Sequence, residues 1–489
     1  MVLQWSSGAY GVEFGGDESD EPAHYVTGLM VRDYVAALAP VAPMKFATEY
    51  YQHYPKVAFG HWPPVFYLVQ TAWMIPFGVS RVSVLLLMAV LSALLAISLS
   101  RAVSEFWGPW AGLGAGALLL SLPIVQRFSR DIMAETLVAL LVFQAVRAYG
   151  RYLDSGRWCD AAWFGAWAAL AILTKGTAFV LGFVPLFSVV ITRRWRLLRE
   201  PAFWIPLGVV LVTCGPWYAL VPRARHERVY EYGHIRFRMW PVLGGQVQLA
   251  AIVGWLPAPF LLAGLIERGI KIVKKQAVPG LWIAAAALLV GLLIFRVSVG
   301  AASPIRILTL LLPAALLFSA AGCAWLLPNA RLRWAVVPAL LAALIVFNLY
   351  HRRPKPARGY VPLSQQLLAD RDLRGAPLLI CADEHGEGML ISEMAMHEAR
   401  PGHVIIRATK ALASVGWMRT NYRLLYQSPD EVSRYLDQAG VGAVVVDNGG
   451  VEPMSHQELL ATTIASKPLR WQVAYVHGPL SVYKRAALK

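Results

Sequence analysis

The sequence predicts an α-helical polytopic membrane domain followed by a small soluble α/β domain, and three observations carry that prediction. Hydrophobic residues make up 57% of the 489-residue chain and charged residues only 15%, against roughly 25% charged in an ordinary soluble protein. Apolar runs, mostly 17 to 24 residues long, recur between residues 62 and 350, each long enough to cross about 30 Å of hydrocarbon as a helix. After Arg352 and Arg353 the hydropathy falls, and short β-rich runs alternate with amphipathic stretches. This composition excludes a soluble enzyme, a disordered chain and a secreted disulfide scaffold.

Candidate spans lie near residues 62–78, 82–101, 110–126, 131–149, 160–174, 176–192, 203–220, 243–266, 280–297, 305–327 and 334–350, about eleven segments in all. They must be helical, because backbone amides in lipid need partners within their own segment. The first of them opens on His61-Trp62-Pro63-Pro64 and contains Pro76, so an incomplete or re-entrant segment is expected there. Three units follow: residues 1–61 as a first external loop, 62–353 as the transmembrane domain and 354–489 as a periplasmic α/β domain. In the last, Pro377 to Cys381, Val404 to Ile406 and Val444 to Val446 read as strands, and Pro429 to Gln438 as an amphipathic helix. There is no tandem repeat and no inverted half-repeat.

The formal charge of +16 comes from 45 Lys and Arg against 29 Asp and Glu. In a polytopic protein, basic loops on the cytoplasmic side explain such an excess without nucleic acid. The segments Arg193-Arg194-Trp195-Arg196, Lys271 to Lys275 and Arg331-Leu332-Arg333 are placed in the cytoplasm on that rule. Counting spans outward puts residues 221–242, residues 298–304 and the C-terminal domain on the external face, together with Arg130, Asp131, Glu135 and Lys175. Counted to the amino terminus, the same scheme puts the acidic stretch 13–21 on the wrong side, so one of the segments before residue 149 is expected not to span. No hydrophobic span precedes residue 17, and residues 1–16 lack the charged and apolar regions of a signal peptide. The expected location is a bacterial inner membrane, with the active site outward. Cys159, Cys214, Cys323 and Cys381 are single and far apart, and suggest neither a disulfide framework nor a zinc site.

The densest acidic cluster is Glu13, Asp17, Glu18, Asp20 and Glu21, followed by Pro22-Ala23-His24-Tyr25. If a helix begins at Glu21, with Pro22 acceptable in its first turn, Asp20 is its cap and His24 lies one turn on, within reach of Asp20. A solvated, helix-capping acidic loop is the competing explanation. His53, His61, Tyr25 and the neighbouring rings are candidates for a sugar pocket, or equally for an interfacial aromatic belt. Arg127, Arg130, Asp131 and Glu135 surround the start of a span, where ionisable residues facing the bundle are functional candidates. Lys175 separates two apolar runs, either as a hairpin tip or as a phosphate contact. Arg223, Arg225, Arg228, Arg236 and Arg238 crowd an external loop against the positive-inside bias, and arginines suit phosphate oxygens. Binding of anionic headgroups is the alternative for them.

The order of Asp20-Glu21-Pro22-Ala23-His24-Tyr25, His61-Trp62-Pro63-Pro64, Ser129-Arg130-Asp131-Ile132-Met133-Ala134-Glu135, Leu173-Thr174-Lys175-Gly176 and Gly215-Pro216-Trp217-Tyr218 resembles the GT-C membrane glycosyltransferases. The resemblance is strongest to the bacterial branch related to protein O-mannosyltransferases and to the aminoarabinose transferase of lipid A. It implies transfer of a sugar from a polyprenyl-phosphate carrier to a lipid, glycan or protein acceptor on the external face, with inversion at the anomeric carbon. It also implies a catalytic carboxylate in the first external loop, which falls on Asp20 with Glu21 beside it; on that reading Asp20 is the general base and Glu21 secondary, His24 orients Asp20 or contacts the acceptor, and Asp17 is the rival base. The family pattern has a transmembrane helix ahead of this loop, which residues 1–16 do not supply. No cofactor is implied with certainty, and a divalent metal is left open with no ligands named. The competing classes are a transporter or flippase of lipid-linked sugars, which would place acids in mid-span, and a non-catalytic scaffold of the same fold.

Overall fold

The structure is a computed structural model that describes residues 1–58, 60–221, 248–249, 251–299, 305–415, 421–449 and 454–486. The described residues ahead of the first apolar segment contain helices. Short helix Val2–Ser6 leads through the acidic stretch into helix Glu21–Ala36, with Pro22 in its first turn, and helix Pro43–His53 follows. The expected helix start at Glu21 is therefore met.

The eleven apolar segments do not become eleven straight spans. Among the described residues four helices are long and apolar enough to cross a membrane: Arg81–Trp107, Pro201–Leu220, Arg306–Leu326 and Arg331–Tyr350. Helices Pro109–Ser121 and Pro123–Arg130 make a fifth only as a pair bent by 66°. The bend falls at Pro123, which has no amide hydrogen to continue the preceding helix. Segment 62–78 yields a 13-residue helix, Val65–Phe77, about 20 Å long at 1.5 Å per residue. That is too short for a complete span, as its prolines led us to expect. Segments 176–192 and 305–327 each begin as a 3₁₀ turn, at Gly176–Gly182 and Ile305–Leu311, before continuing as α-helix.

Between these elements, helix Glu135–Ser155 is mostly buried, with Arg151, Asp154 and Ser155 exposed toward its carboxyl end. Its 21 residues span about 30 Å. At its carboxyl end Arg194 donates to the Leu153 carbonyl at 3.0 Å, and the Gly280 amide donates to Asp154 at 2.7 Å. The basic loop at 193–199 thus gathers at the end opposite Glu135. Elsewhere helices Pro257–Val273 and Leu312–Leu326 cross at Gly264 and Gly322, where an added Cβ would strike the carbonyl of Phe318 or of Phe260. Small residues at such crossings let backbones approach in a medium that offers no hydrophobic force between helices.

The carboxyl-terminal unit carries the expected strands with boundaries moved by a residue or two. They are β1 (Leu378–Cys381), β2 (Ile405–Arg407), the short β3 (Ala413–Ser414) and β4 (Arg423–Leu424), then β5 (Ala443–Asp447), β6 (Trp471–His477) and β7 (Leu480–Arg485). Five of them form one sheet in the order β2-β1-β5-β7-β6. β1 runs parallel to β2 and β5, with Leu379 opposite Val444, while β7 is antiparallel to both β5 and β6. All four residues of β1 are buried, as expected of a parallel strand covered on both faces. Helix Pro429–Gln438 has the bounds its pattern gave. The four cysteines are free thiols.

Candidate active site

The acidic stretch at residues 13–21 is held between the two units, and its side chains divide by partner. Asp17, Glu18 and Asp20 face the membrane unit. Arg130 reaches Asp17 Oδ2 at 2.7 Å, Arg127 reaches Glu18 Oε1 at 2.9 Å, and Arg306 reaches Glu18 Oε2 at 3.2 Å and Asp20 Oδ2 at 2.8 Å. Glu13 faces the other way, and Glu21 lies between the two units. Glu13 Oε1 accepts the backbone amides of Arg358 and Gly359, the latter at 3.1 Å. Glu21 is fully buried and accepts from Lys355 Nζ at 2.7 and 2.8 Å, from the Ile132 amide at 3.0 Å and from the Gly15 amide at 2.7 Å. The stretch can turn this sharply because Gly15 adopts φ +110°, in the left-handed region that glycine tolerates.

Asp20 is the N-cap residue of helix Glu21–Ala36, and its carbonyl accepts the His24 amide at 3.0 Å. Its side chain does not cap the helix, contrary to the sequence-based expectation. The guanidinium of Arg306 outcompetes a backbone amide for the carboxylate, since a bond between two charged groups is about twice as strong as a neutral one. Burial pushes the Asp20 carboxyl up, but the cations around it, Arg306 first and then Lys175, more than offset this and hold it below the usual carboxylate range. Asp20 is therefore an ionised acceptor of protons in a largely buried place.

Arg306 also approaches Glu135 Oε1 at 3.6 Å, and Lys175 Nζ lies 2.5 Å from the same oxygen. Glu135 opens the long buried helix, so one carboxylate brings together cations from the starts of two other apolar segments. Its second oxygen, Oε2, is buried with no hydrogen-bond partner among the described residues.

His24 packs its ring against Trp62, with centroids 4.2 Å apart, and its Nδ1 lies 3.1 Å from the Tyr67 hydroxyl. Burial pushes its pKa down to about 3, so it is a neutral imidazole at physiological pH. Its Nε2 is buried and unpartnered among the described residues. Beside it an apolar pocket is lined by Thr27, Trp62, Tyr67 and Trp217, among others, and the indole nitrogen of Trp217 is likewise buried without a partner among the described residues.

The remaining sequence-predicted residues are dispersed. Tyr25 is core: its ring meets Phe14 at 4.9 Å and its hydroxyl donates to the Val79 carbonyl at 2.7 Å. His53 sits 2.8 Å from the Gly402 carbonyl and so ties the two units together. His61 stands edge-on to Trp62 at 4.5 Å. Asp131 is fully buried, 3.1 Å from Lys355 Nζ. Arg223, Arg225, Arg228, Arg236 and Arg238 lie outside the described residues. No three His, Cys, Asp or Glu side chains among the described residues lie close enough to hold a metal ion.

Two site residues escaped the sequence reading. Arg306 had a signal, being the lone cation inside the apolar run 305–327, where an ionisable residue is a functional candidate by default. Lys355 had none, because it follows Arg352 and Arg353 and reads as part of a basic linker.

The chain has the GT-C fold of membrane glycosyltransferases. Within that class, residues 61–219, about a third of the chain, match the family described as dolichyl-phosphate-mannose-protein mannosyltransferase. The structure is similar to that of ArnT from Cupriavidus metallidurans bound to undecaprenyl phosphate, at 15% sequence identity and a TM-score of 0.63, over 99% of this chain and 96% of that one. It is also similar to the archaeal oligosaccharyltransferase AglB from Archaeoglobus fulgidus in complex with an inhibitory peptide and a dolichol-phosphate, at 13% identity and a TM-score of 0.52, over 89% of this chain and 66% of that one. No curated protein matches the sequence.

Proposed function

We propose that the protein transfers a sugar from a polyprenyl-phosphate donor to an acceptor hydroxyl, with inversion, on the outer face of the inner membrane. The observation that carries this reading is the pairing of Asp20 with Arg306 at 2.8 Å beside Lys175 and Glu135. An ionised carboxylate next to two cations suits displacement of a phosphate. The acceptor oxygen attacks the anomeric carbon while Asp20 takes its proton. The bond from that carbon to the phosphate oxygen breaks, and its electron pair leaves with the polyprenyl phosphate. That leaving group needs no acid. It needs cations where its charge develops, and Arg306 and Lys175 serve this when they exchange Glu18 and Glu135 for phosphate oxygens. His24, neutral and with Nε2 unpartnered, is placed to accept or donate one hydrogen bond to the acceptor. Glu21, whose oxygens are occupied on every side, takes no part in the reaction and holds the loop. The phosphate lipids named in the two similar structures support a donor of this class.

The transporter reading calls for acids at mid-span. Here the ionisable cluster gathers at helix starts, with Asp20 at a cap and Glu135 first in its helix. The test is a reconstituted assay in which purified protein in liposomes receives polyprenyl-phosphate hexoses or pentoses and a mixed pool of lipid and peptide acceptors. Acceptor-dependent release of polyprenyl phosphate is expected. Movement of the intact donor across the bilayer without its consumption would favour the flippase.

Sidedness is tested separately. Leu469 is 90% exposed in the carboxyl-terminal unit, and a Leu469→Cys variant should react with a membrane-impermeant maleimide added outside intact spheroplasts. Labelling only after lysis would invert the proposed orientation.

A further inference from the structure

We propose that the carboxyl-terminal unit completes the active site, with Lys355 in its linker acting as a positioning residue for the loop that presents Asp20. This rests on the reading of Asp20 as the base. Lys355 stands between helix Ala330–Tyr350 and helix Tyr360–Ala369, and its side chain is fully buried. The ammonium has four protein oxygens around it: Glu21 Oε1 and Oε2 at 2.7 and 2.8 Å, Asp131 Oδ1 at 3.1 Å and the Arg130 carbonyl at 3.1 Å. Its own amide donates to the Ser7 carbonyl at 2.9 Å. One side chain from the linker thus joins the residue after Asp20 to the segment that leads into Glu135.

The contact is the centre of a longer seam. Glu13 binds the amides of Arg358 and Gly359, His385 Nδ1 lies 2.7 Å from the Gly15 carbonyl, and a Cβ on Gly16 would collide with the Pro356 carbonyl. The acidic stretch is therefore fastened on one face to residues 355–385, while Asp17, Glu18 and Asp20 are drawn the other way by Arg130, Arg127 and Arg306. Three carboxylates this close repel one another, and a loop held only by the membrane unit would be free to slide along its arginines. Burial pushes the Lys355 ammonium down, but Glu21 and Asp131 more than offset it, so the latch stays charged.

Removing Lys355 alone leaves Glu21 buried without its counter-ion, which threatens folding itself. The discriminating double variant is therefore Lys355→Met/Glu21→Gln, made and compared in an Asp131→Asn background because the buried Asp131 shares the same ammonium, with Lys355→Arg as the conservative control. The double variant is expected to melt near its Asp131→Asn parent yet to exchange amide hydrogens across residues 13–24 about tenfold faster, with the spanning helices unchanged. Its kcat should fall about 10²-fold, the scale of a misplacement near 1 Å, with the donor KM nearly unchanged. Lys355→Arg should recover part of that loss. A folded double variant with its parent's exchange over residues 13–24, or with its parent's turnover, would overturn the proposal. If the wild type transfers no sugar, the reading of Asp20 as base fails instead, and the exchange measurement alone decides the latch.

Discussion

Asp20→Asn should lower turnover by about 10²- to 10⁴-fold, the range for loss of a general base, while binding of the polyprenyl-phosphate donor stays nearly intact. Asparagine keeps the size and one acceptor oxygen, so the helix start and the approach to Arg306 survive. What disappears is the capacity to take the acceptor's proton. Asp17 is the rival carboxylate, three residues earlier, but its Oδ2 is held by Arg130 at 2.7 Å, and Arg130 itself is tied to the Arg353 carbonyl. Asp17→Asn is therefore expected to loosen the loop and to cost less than Asp20→Asn. Measuring kcat and donor affinity for both variants decides the matter: normal turnover in Asp20→Asn with a dead Asp17→Asn moves the base to Asp17. Two fully active variants would end the glycosyltransferase reading of this loop.

Arg306→Gln is expected to strike both binding and pH dependence. The guanidinium serves Glu18, Asp20 and Glu135 at once; its loss leaves Glu18 to Arg127 and Glu135 to Lys175, and takes from Asp20 the cation in direct contact with it. Donor affinity should drop by about 1.5 to 3 kcal/mol, the value of one hydrogen bond to a charged group, as measured by titration with polyprenyl phosphate. The pH profile should move in a definite direction. Burial raises the Asp20 carboxyl and Arg306 leads the groups that lower it, so in the wild type the base stays ionised as the pH falls toward a folded-state pKa below the ordinary carboxylate value. Without Arg306 burial prevails, the pKa rises, and the acid limb of kcat/KM moves to higher pH. Stability follows the same sign. A depressed carboxylate pKa adds stability that is complete above the unfolded-state value and lost as the pH falls through the folded-state value, so the variant should lose part of the wild type's acid sensitivity. An unshifted acid limb would show that Asp20 is not the titrating base or that Arg306 does not govern it.

The two predictions also mark where sequence reading stopped. Asp20, its cap position and the helix from Glu21 were legible because they are local: a proline tolerated in a first turn, acidic residues before it and an amphipathic pattern after it. Arg306 and Lys355 meet their partners across 288 residues to Glu18 and 334 residues to Glu21, and no periodicity encodes such pairings. His53 and Tyr25 were ambiguous for the same reason. Histidine and tyrosine near an acidic loop look alike in sequence whether they line a pocket, bridge two units or fill a core, and the backbone carbonyls of Gly402 and Val79 that receive them are invisible as text.

The sequence by itself determined the solvent and the kind of elements: apolar runs of membrane length, which must be helices because lipid offers their amides no other partner, then short alternating strands once the charge returns. It determined as well that the acidic stretch was unusual in so charge-poor a chain. Only the tertiary structure decided which runs are broken, at Pro123 and at the 3₁₀ turns, and which of five carboxylates faces a cation of the membrane unit and which faces the carboxyl-terminal linker. Hydropathy is a sum over neighbours along the chain and so survives in the sequence. The charge state and direction of a buried carboxylate depend on groups within a few ångströms in space, and those exist only once the chain has folded.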